Sequence, residues 1–299
     1  MSESPRRIAV LGLGAMGLPM ATHLVPEFPV TVFDIDAGRR AQLAAEGAAE
    51  AATPAQAAAD ADVVLLAVRD QQQVEAALFG ENGAAPAMAS GSVVILTSTV
   101  GPDAARATAA RLAERDLHLV DAPVSGGPAR AGAGDLLIVV SGAESALDVA
   151  RPVLERLAST LTEIGHAAGD AQALKAINQL LAGVHIAAAA EAVAMARALG
   201  LDPATVIDSL SKGAAGSFML ADRGPRMVEA YADGAEVRSR LDIFVKDMGI
   251  VADIARQSHV PTPLASAAQQ LYLLGERAGL GAADDSSVVT LLSPKEADS

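Results

Sequence analysis

The feature that most limits what this chain can fold into is a glycine turn set between a short apolar run and a helix. Arg7-Ile8-Ala9-Val10-Leu11 reads as a strand, and Gly12-Leu13-Gly14-Ala15-Met16-Gly17 then opens a helical segment over residues 18–25. Each glycine answers a separate geometric need: Gly12 permits the tight turn, Gly14 lets the backbone approach a pyrophosphate, and Gly17 lets the helix pack close to the strand. The free N–H groups at the helix start then face the phosphates. A second strand, Val30-Thr31-Val32-Phe33, ends in Asp34, about 20 residues past the first glycines, where a carboxylate binds the adenine ribose hydroxyls. Asp34 and Asp36 would repel the extra phosphate of NADP, so the pattern favours NAD. Arg39 and Arg40 are either partners for a 2′-phosphate or, as their place on the following helix favours, solvated surface charge.

The alternation continues. Residues 62–67 and Ser92-Val93-Val94-Ile95-Leu96 are buried-type strands, Leu117 to Val120 is strand-like, and the segments between them are Ala-rich and helical. The predicted fold class is an α/β N-terminal Rossmann domain with a doubly wound parallel sheet, binding ligand at the carboxyl ends of its strands. No strand alternation is visible after about residue 165, so an all-α C-terminal domain beginning with a long helix follows; the predicted division is 1–166 and 167–299. Asp202-Pro203 is a capped helix start, Gly213 and Gly216 punctuate, and Leu241 to Gln257 is an amphipathic run. Met1 to Pro5 and Pro294 to Ser299 are expected to be disordered.

Composition excludes several classes. A formal charge of −14 with five Phe, two Tyr and no Trp suits neither a phosphate-tracking groove nor a base-stacking platform, so no nucleic-acid partner is expected. With no Cys there are no disulfides or thiolate metal sites, which fits a cytoplasmic enzyme, and the five His are too scattered to suggest a metal. Arg6-Arg7 before an uncharged run resembles an export leader only superficially, since glycines and Pro19 interrupt the run. The uncharged run from Ala84 to Pro102 is broken by Gly91 and two prolines, so no membrane partner is expected.

Three stretches hold candidate site residues. In Thr97-Ser98-Thr99-Val100-Gly101-Pro102 the hydroxyls either cap a helix that starts with proline or let Thr99 touch the nicotinamide half of a cofactor. Ser125-Gly126-Gly127, just after Asp121-Ala122-Pro123-Val124, is either a plain turn or a backbone cradle for a carboxylate. Residues 170–198 predict one helix, with Asp170 as its N-cap. Lys175 and Gln179 lie one turn apart on it with Asn178 beside them; either this is a solvated stripe or three polar groups converge on an oxygen-rich substrate. His185 is either a packed histidine or close to the pocket, and Asp284-Asp285-Ser286-Ser287 either caps a last helix or helps close the pocket.

Together these motifs resemble the β-hydroxyacid dehydrogenases, a family that includes 3-hydroxyisobutyrate dehydrogenase and tartronate semialdehyde reductase. Nearly the whole chain takes part: residues 12–17, Ser98 to Pro102, Asp121 to Gly127, Gly165 to Gly169 leading to Lys175, and Lys246-Asp247-Met248. The resemblance implies that Lys175 is the catalytic lysine, that Ser125, Gly126 and Gly127 form the substrate loop, that Asn178 and Gln179 are the substrate-side pair, and that Thr99 and Lys246 contact the cofactor. Most of the family carries Asn where this chain has Gln179, and residues 179–187 are more similar to the branch acting on four-carbon sugar acids such as L-threonate. The implied reaction moves hydride between NAD and a small hydroxy acid, with neutral Lys175 taking the hydroxyl proton. A free lysine titrates near ~10.4, so such a site must lower that value. The alternative readings are tartronate semialdehyde reductase, 3-hydroxyisobutyrate dehydrogenase, or a nucleotide-binding interaction protein that has lost the chemistry. Lys175 counts against an imine reductase. At 1.5 Å per residue the long helix would span about 43 Å; with Gly183 and the alanines 187–190 it is expected to line the interface of a homodimer or homotetramer.

Overall fold

A computed structural model describes residues 6–232 and 234–293; both predicted disordered ends lie outside the described residues. The chain divides into two compact units, Met1–Lys175 and Ala176–Ser299.

The N-terminal unit alternates strand and helix: β1 (Ile8–Leu11), α1 (Gly17–Leu24), β2 (Val30–Phe33), α2 (Ala37–Ala45), β3 (Ala49–Glu50), α3 (Pro54–Ala58), β4 (Val63–Leu66), α4 (Gln71–Phe79), β5 (Val93–Leu96), α5 (Pro102–Ala113), β6 (His118–Asp121), β7 (Val124–Ser125), α6 (Gly127–Gly132), β8 (Leu136–Ser141), α7 (Glu144–Leu157) and β9 (Ala158–Gly165). The sheet order is β3-β2-β1-β4-β5-β6-β8-β7, with β9 on β8. Every residue of β1, β4 and β5 is buried, because helices cover both faces. Alternate residues go to opposite layers: Ile8 and Val10 face one core, Ala9 and Leu11 the other. The strand order reverses at β1, so the crevice beyond the ends of β1 and β4 is the topological switch point where such sheets hold ligands.

The sheet is parallel from β3 to β6, then departs from the expected all-parallel arrangement. β8 pairs antiparallel with β6 and β7 and parallel with β9. None of β3, β7, β8 and β9 was expected. The first two are two-residue strands, and β8 returns directly after the glycine-rich segment 126–134, too short a connection for a parallel crossover.

The C-terminal unit is helical: α8 (Asp170–Ala198) enters it from the first unit, followed by α9 (Pro203–Ser211), α10 (Phe218–Glu229), α11 (Leu241–Gln257), α12 (Pro263–Arg277) and α13 (Val289–Leu292). The expected bounds of α8, the Asp202 cap and the span of α11 all hold. α8 is the one helix among the described residues long and apolar enough to cross a membrane. Here its apolar residues, including Ile186, Ala190 and Val193, join Phe244, Met248 and Tyr272 in a core. Gly183 is closed against this chain's own α11: a Cβ there would collide with the sulfur of Met248, and its carbonyl accepts the Tyr272 hydroxyl at 2.8 Å. Close packing at Gly183 therefore serves the unit's own core.

Asp284 to Ser287 cap and pack. Asp284 is the N-cap of a 3-10 turn over Asp285–Val288, accepts from Ser286 and from the Arg238 and Ser239 amides, and pairs with buried Arg226 at 2.5 Å. Burial pushes this carboxyl up, but the Ser286 hydroxyl, the Arg238 amide and Arg226 outweigh it and hold it below its ordinary value of 3.8. A depressed carboxyl contributes stability that is complete above that value and is lost as pH falls through the lower folded value. Asp284→Asn should therefore cost about 3 kcal/mol at pH 7, as breaking a buried pair does, and the deficit should shrink towards pH 3. Thermal melts of the variant and the wild type across that range check both the size and the sign.

Candidate active site

The glycine turn has the shape its sequence requires. Gly12 sits at φ +94°, where an added Cβ would lie 2.6 Å from the Ala67 carbonyl oxygen, and a Cβ at Gly17 would collide with the Gly12 carbonyl. Gly14 is different: a Cβ there would meet nothing within 4 Å. The helix that follows has no side-chain cap at Met16; the Leu18 amide donates to the Gly14 carbonyl and Pro19 carries no N–H, so the Gly17 amide is the one left at the helix start for an anion. Ala15 is exposed at the bend, and buried Leu13 donates its amide to Asp34 Oδ2 at 2.6 Å. Asp34 thus closes the turn against the end of β2, and its Oδ1 accepts from the Asp36 amide at 2.8 Å. These residues fit a dinucleotide: open space beside a glycine backbone, an uncapped helix start, and a carboxylate at the tip of the second strand. Ile35, 90% exposed beside that carboxylate, has no sequence signal of its own.

Arg39 is exposed as expected, but Arg40 is half-buried and corrects the solvated reading. Its Nη1 donates to the Asp34 carbonyl at 2.5 Å, because the first turn of α2 folds back over the end of β2.

The loop carrying Thr99 runs into the N-cap of α5. The cap is Gly101, at φ +89° and without a side-chain bond. Thr97 donates to the Leu66 carbonyl, and Ser98 Oγ accepts from the Val68 amide. The amides of Val100 and Gly101 are taken instead by Oε1 of Gln172, at 3.0 and 3.1 Å.

Asp170 is the first helical residue of α8, not its cap. The start of that helix is satisfied from the sheet: Asp121 Oδ2 accepts from the amides of Gly169 and Gln172, both at 3.0 Å, and Ser141 Oγ accepts from Ala171. Asp121 is fully buried at the end of β6. Burial holds its carboxyl above the ordinary value despite the bonds from Gln172, Gly169 and Ser141. Asp121 and Gln172 are among the residues to which sequence reasoning gave no role. The available signal was a lone carboxylate ending an apolar strand and a glutamine one turn before Lys175.

Lys175 closes the N-terminal unit, half-buried, its Nζ donating to the Val124 carbonyl at 3.0 Å. The next residue is Ser125, and Gly126 and Gly127 follow at φ +140° and +77°. The amine and the Ser-Gly-Gly loop are therefore neighbours in one unit. That juxtaposition is what an acid/base group beside a carboxylate cradle requires.

Within the C-terminal unit, Asn178 Nδ2 donates to Gln179 Oε1 at 2.8 Å, and Gln179 Nε2 donates to Asp247 Oδ2 at 2.5 Å. Lys246 Nζ pairs with the other oxygen of Asp247 at 2.8 Å. Asn178, Gln179 and Lys246 are thus joined through Asp247, which sequence reasoning had left without a role. The length of Gln179 lets it reach that carboxylate. His185 is half-buried on α8.

Residues 7–165 match the NAD binding domain of 6-phosphogluconate dehydrogenase, and residues 169–292 match the NAD-binding domain of NADP-dependent 3-hydroxyisobutyrate dehydrogenase. The chain is 44% identical to an L-threonate dehydrogenase of Cupriavidus necator, over 96% of both chains. It is 39% identical to one of Pectobacterium atrosepticum, over 96% of this chain and 94% of that one. A crystal structure of 3-hydroxyisobutyrate dehydrogenase from Salmonella typhimurium superposes with a TM-score of 0.89 at 37% identity, covering 96% of this chain and 99% of that one. With its nucleotide turn, its helical second unit and these relatives, the chain belongs to the 3-hydroxyisobutyrate dehydrogenase-like family of NAD(P)-binding β-hydroxyacid dehydrogenases.

Proposed function

We propose that this hydroxyacid dehydrogenase oxidises a four-carbon sugar acid such as L-threonate with NAD, using Lys175 as general acid/base. The observation that carries the reading is the Lys175 amine held at the Val124 carbonyl, one residue from the Ser125-Gly126-Gly127 loop. Bound nicotinamide supplies the hydride acceptor. Neutral Lys175 takes the substrate hydroxyl proton during oxidation, and its ammonium returns a proton to the forming alkoxide in reduction. The loop amides of residues 125–127 bind the substrate carboxylate. Asn178 and Gln179 are the proposed substrate-binding pair, with Asp247 fixing the orientation of the Gln179 amide. The turn from Gly12 to Gly17 holds the pyrophosphate, Asp34 the ribose, and Thr99 and Lys246 the nicotinamide end. The buried Asp34 carboxylate, with Asp36 beside it, supports NAD over NADP.

The functional division is placed at 166/167, just ahead of α8. A cytoplasmic homodimer or homotetramer is the proposed form. Its support is the apolar residues that α8 leaves uncovered in the single chain, Ile177 at 63%, Leu181 at 50% and Met195 at 66% exposed. Threonate is preferred over 3-hydroxyisobutyrate because the two threonate dehydrogenases match over nearly the whole chain and Gln179 takes the place of the family's usual Asn. A binding protein without chemistry would not need Lys175, Asn178 and the Ser-Gly-Gly loop together. Following NADH absorbance with threonate, erythronate, glycerate, tartronate semialdehyde and 3-hydroxyisobutyrate tests the assignment, with NADP in parallel. Threonate with NAD should give the highest kcat/KM; a higher value for 3-hydroxyisobutyrate, or for NADP, would replace that part of the reading.

A further inference from the structure

Gln172 is 1% exposed and uses both ends of its amide on fixed partners. Oε1 accepts from the amides of Val100 and Gly101, and Nε2 donates to the Ser98 carbonyl at 3.0 Å and to Asp121 Oδ1 at 2.9 Å. Its bonds therefore bracket Thr99 on both sides. The orientation of the amide is dictated, since two N–H groups demand the carbonyl oxygen and two acceptors demand the NH2. The second oxygen of Asp121 holds the Gly169 and Gln172 backbone amides, which fixes the first turn of α8. Lys175 follows Gln172 by three residues on that helix. One buried side-chain pair thus sets both the loop proposed to touch the cofactor and the turn proposed to carry the proton.

We propose that Gln172, oriented by Asp121, is a positioning residue for hydride transfer: it holds the Thr99 loop in register with the turn of α8 that bears Lys175. The proposal rests on the roles assigned above to Thr99 and Lys175. Neither Gln172 nor Asp121 needs to touch substrate.

The test exploits the polarity of the pair. Gln172→Glu keeps an acceptor for Val100 and Gly101 but faces Asp121 with a second carboxylate. Asp121→Asn keeps an acceptor for the two backbone amides but turns an NH2 towards the NH2 of Gln172. The double variant restores a donor–acceptor pair with its sense reversed. Each single change should lower kcat by about 100-fold, the usual cost of an ångström-scale misplacement, with the KM for substrate within about threefold. NADH affinity, read from nucleotide fluorescence without substrate, should weaken by about tenfold in each. The double variant should recover at least about tenfold in kcat over either single, as coupled neighbours do.

Folded single variants that lower only the melting temperature, with kcat and NADH affinity at wild-type levels, would overturn the proposal. So would a folded double variant no better than the singles. Should a single variant fail to fold, the double is compared with the wild type directly, and a kcat more than about 1,000-fold lower counts against the proposal. Lys175→Ala run alongside separates the two levels. Turnover retained there removes the site reading itself, whereas an inactive Lys175→Ala beside fully active Gln172 variants removes the positioning role alone.

Discussion

Lys175→Ala is expected to lower kcat by about 10³- to 10⁴-fold, the upper range for losing a general acid/base, while NADH affinity stays within about twofold. The amine reaches the Val124 carbonyl and not the glycine turn, so its removal leaves Gly12 to Gly17 and Asp34 as they are. The side chain is only half-buried, so little stability should go with it. Steady-state rates and nucleotide fluorescence on the same preparation give the two numbers. Wild-type turnover by the variant would mean that the proton goes elsewhere.

Gly17→Ala is expected to be the most damaging single change in the nucleotide turn, and Gly14→Ala its informative partner. At Gly17 the new methyl collides with the Gly12 carbonyl and comes within 3.2 Å of the Ala67 Cβ, so α1 must move off β1 and the turn with it. Overpacking of this kind costs about 3 kcal/mol, and loss of the turn should weaken dinucleotide binding by about 100-fold or more. At Gly14 the methyl meets no protein atom within 4 Å. That variant should melt with the wild type yet bind the dinucleotide about tenfold more weakly, because the methyl occupies the approach to the backbone. Equal nucleotide affinity in wild type and Gly14→Ala would show that the phosphates do not pass there.

Much of the fold was legible because its causes are local. Apolar runs at Ile8–Leu11, Val63–Leu66 and Val93–Leu96 call for strands covered on both faces, and the sheet provides two cores for them. The bounds of α8 and α11 follow from helix formers between breakers. β8 was legible too, since Leu136-Leu137-Ile138-Val139-Val140 is an apolar run. What the sequence by itself determined about this protein is therefore its nucleotide-binding architecture, its helical second half and the residue types offered for chemistry.

Tertiary structure alone decided how those residues are held. The cap of α8 comes from Asp121, 48 residues before Gly169, and the amide that fixes the Thr99 loop comes from Gln172, 74 residues after Ser98. Gln179 turns to Asp247, 68 residues on, and Gly183 closes on Met248. Spacing within a strand or helix is fixed by backbone geometry and so can be read from neighbours in the chain. A buried polar group is satisfied by whatever partner the fold brings within about 3 Å, and that partner has no signature in the local pattern.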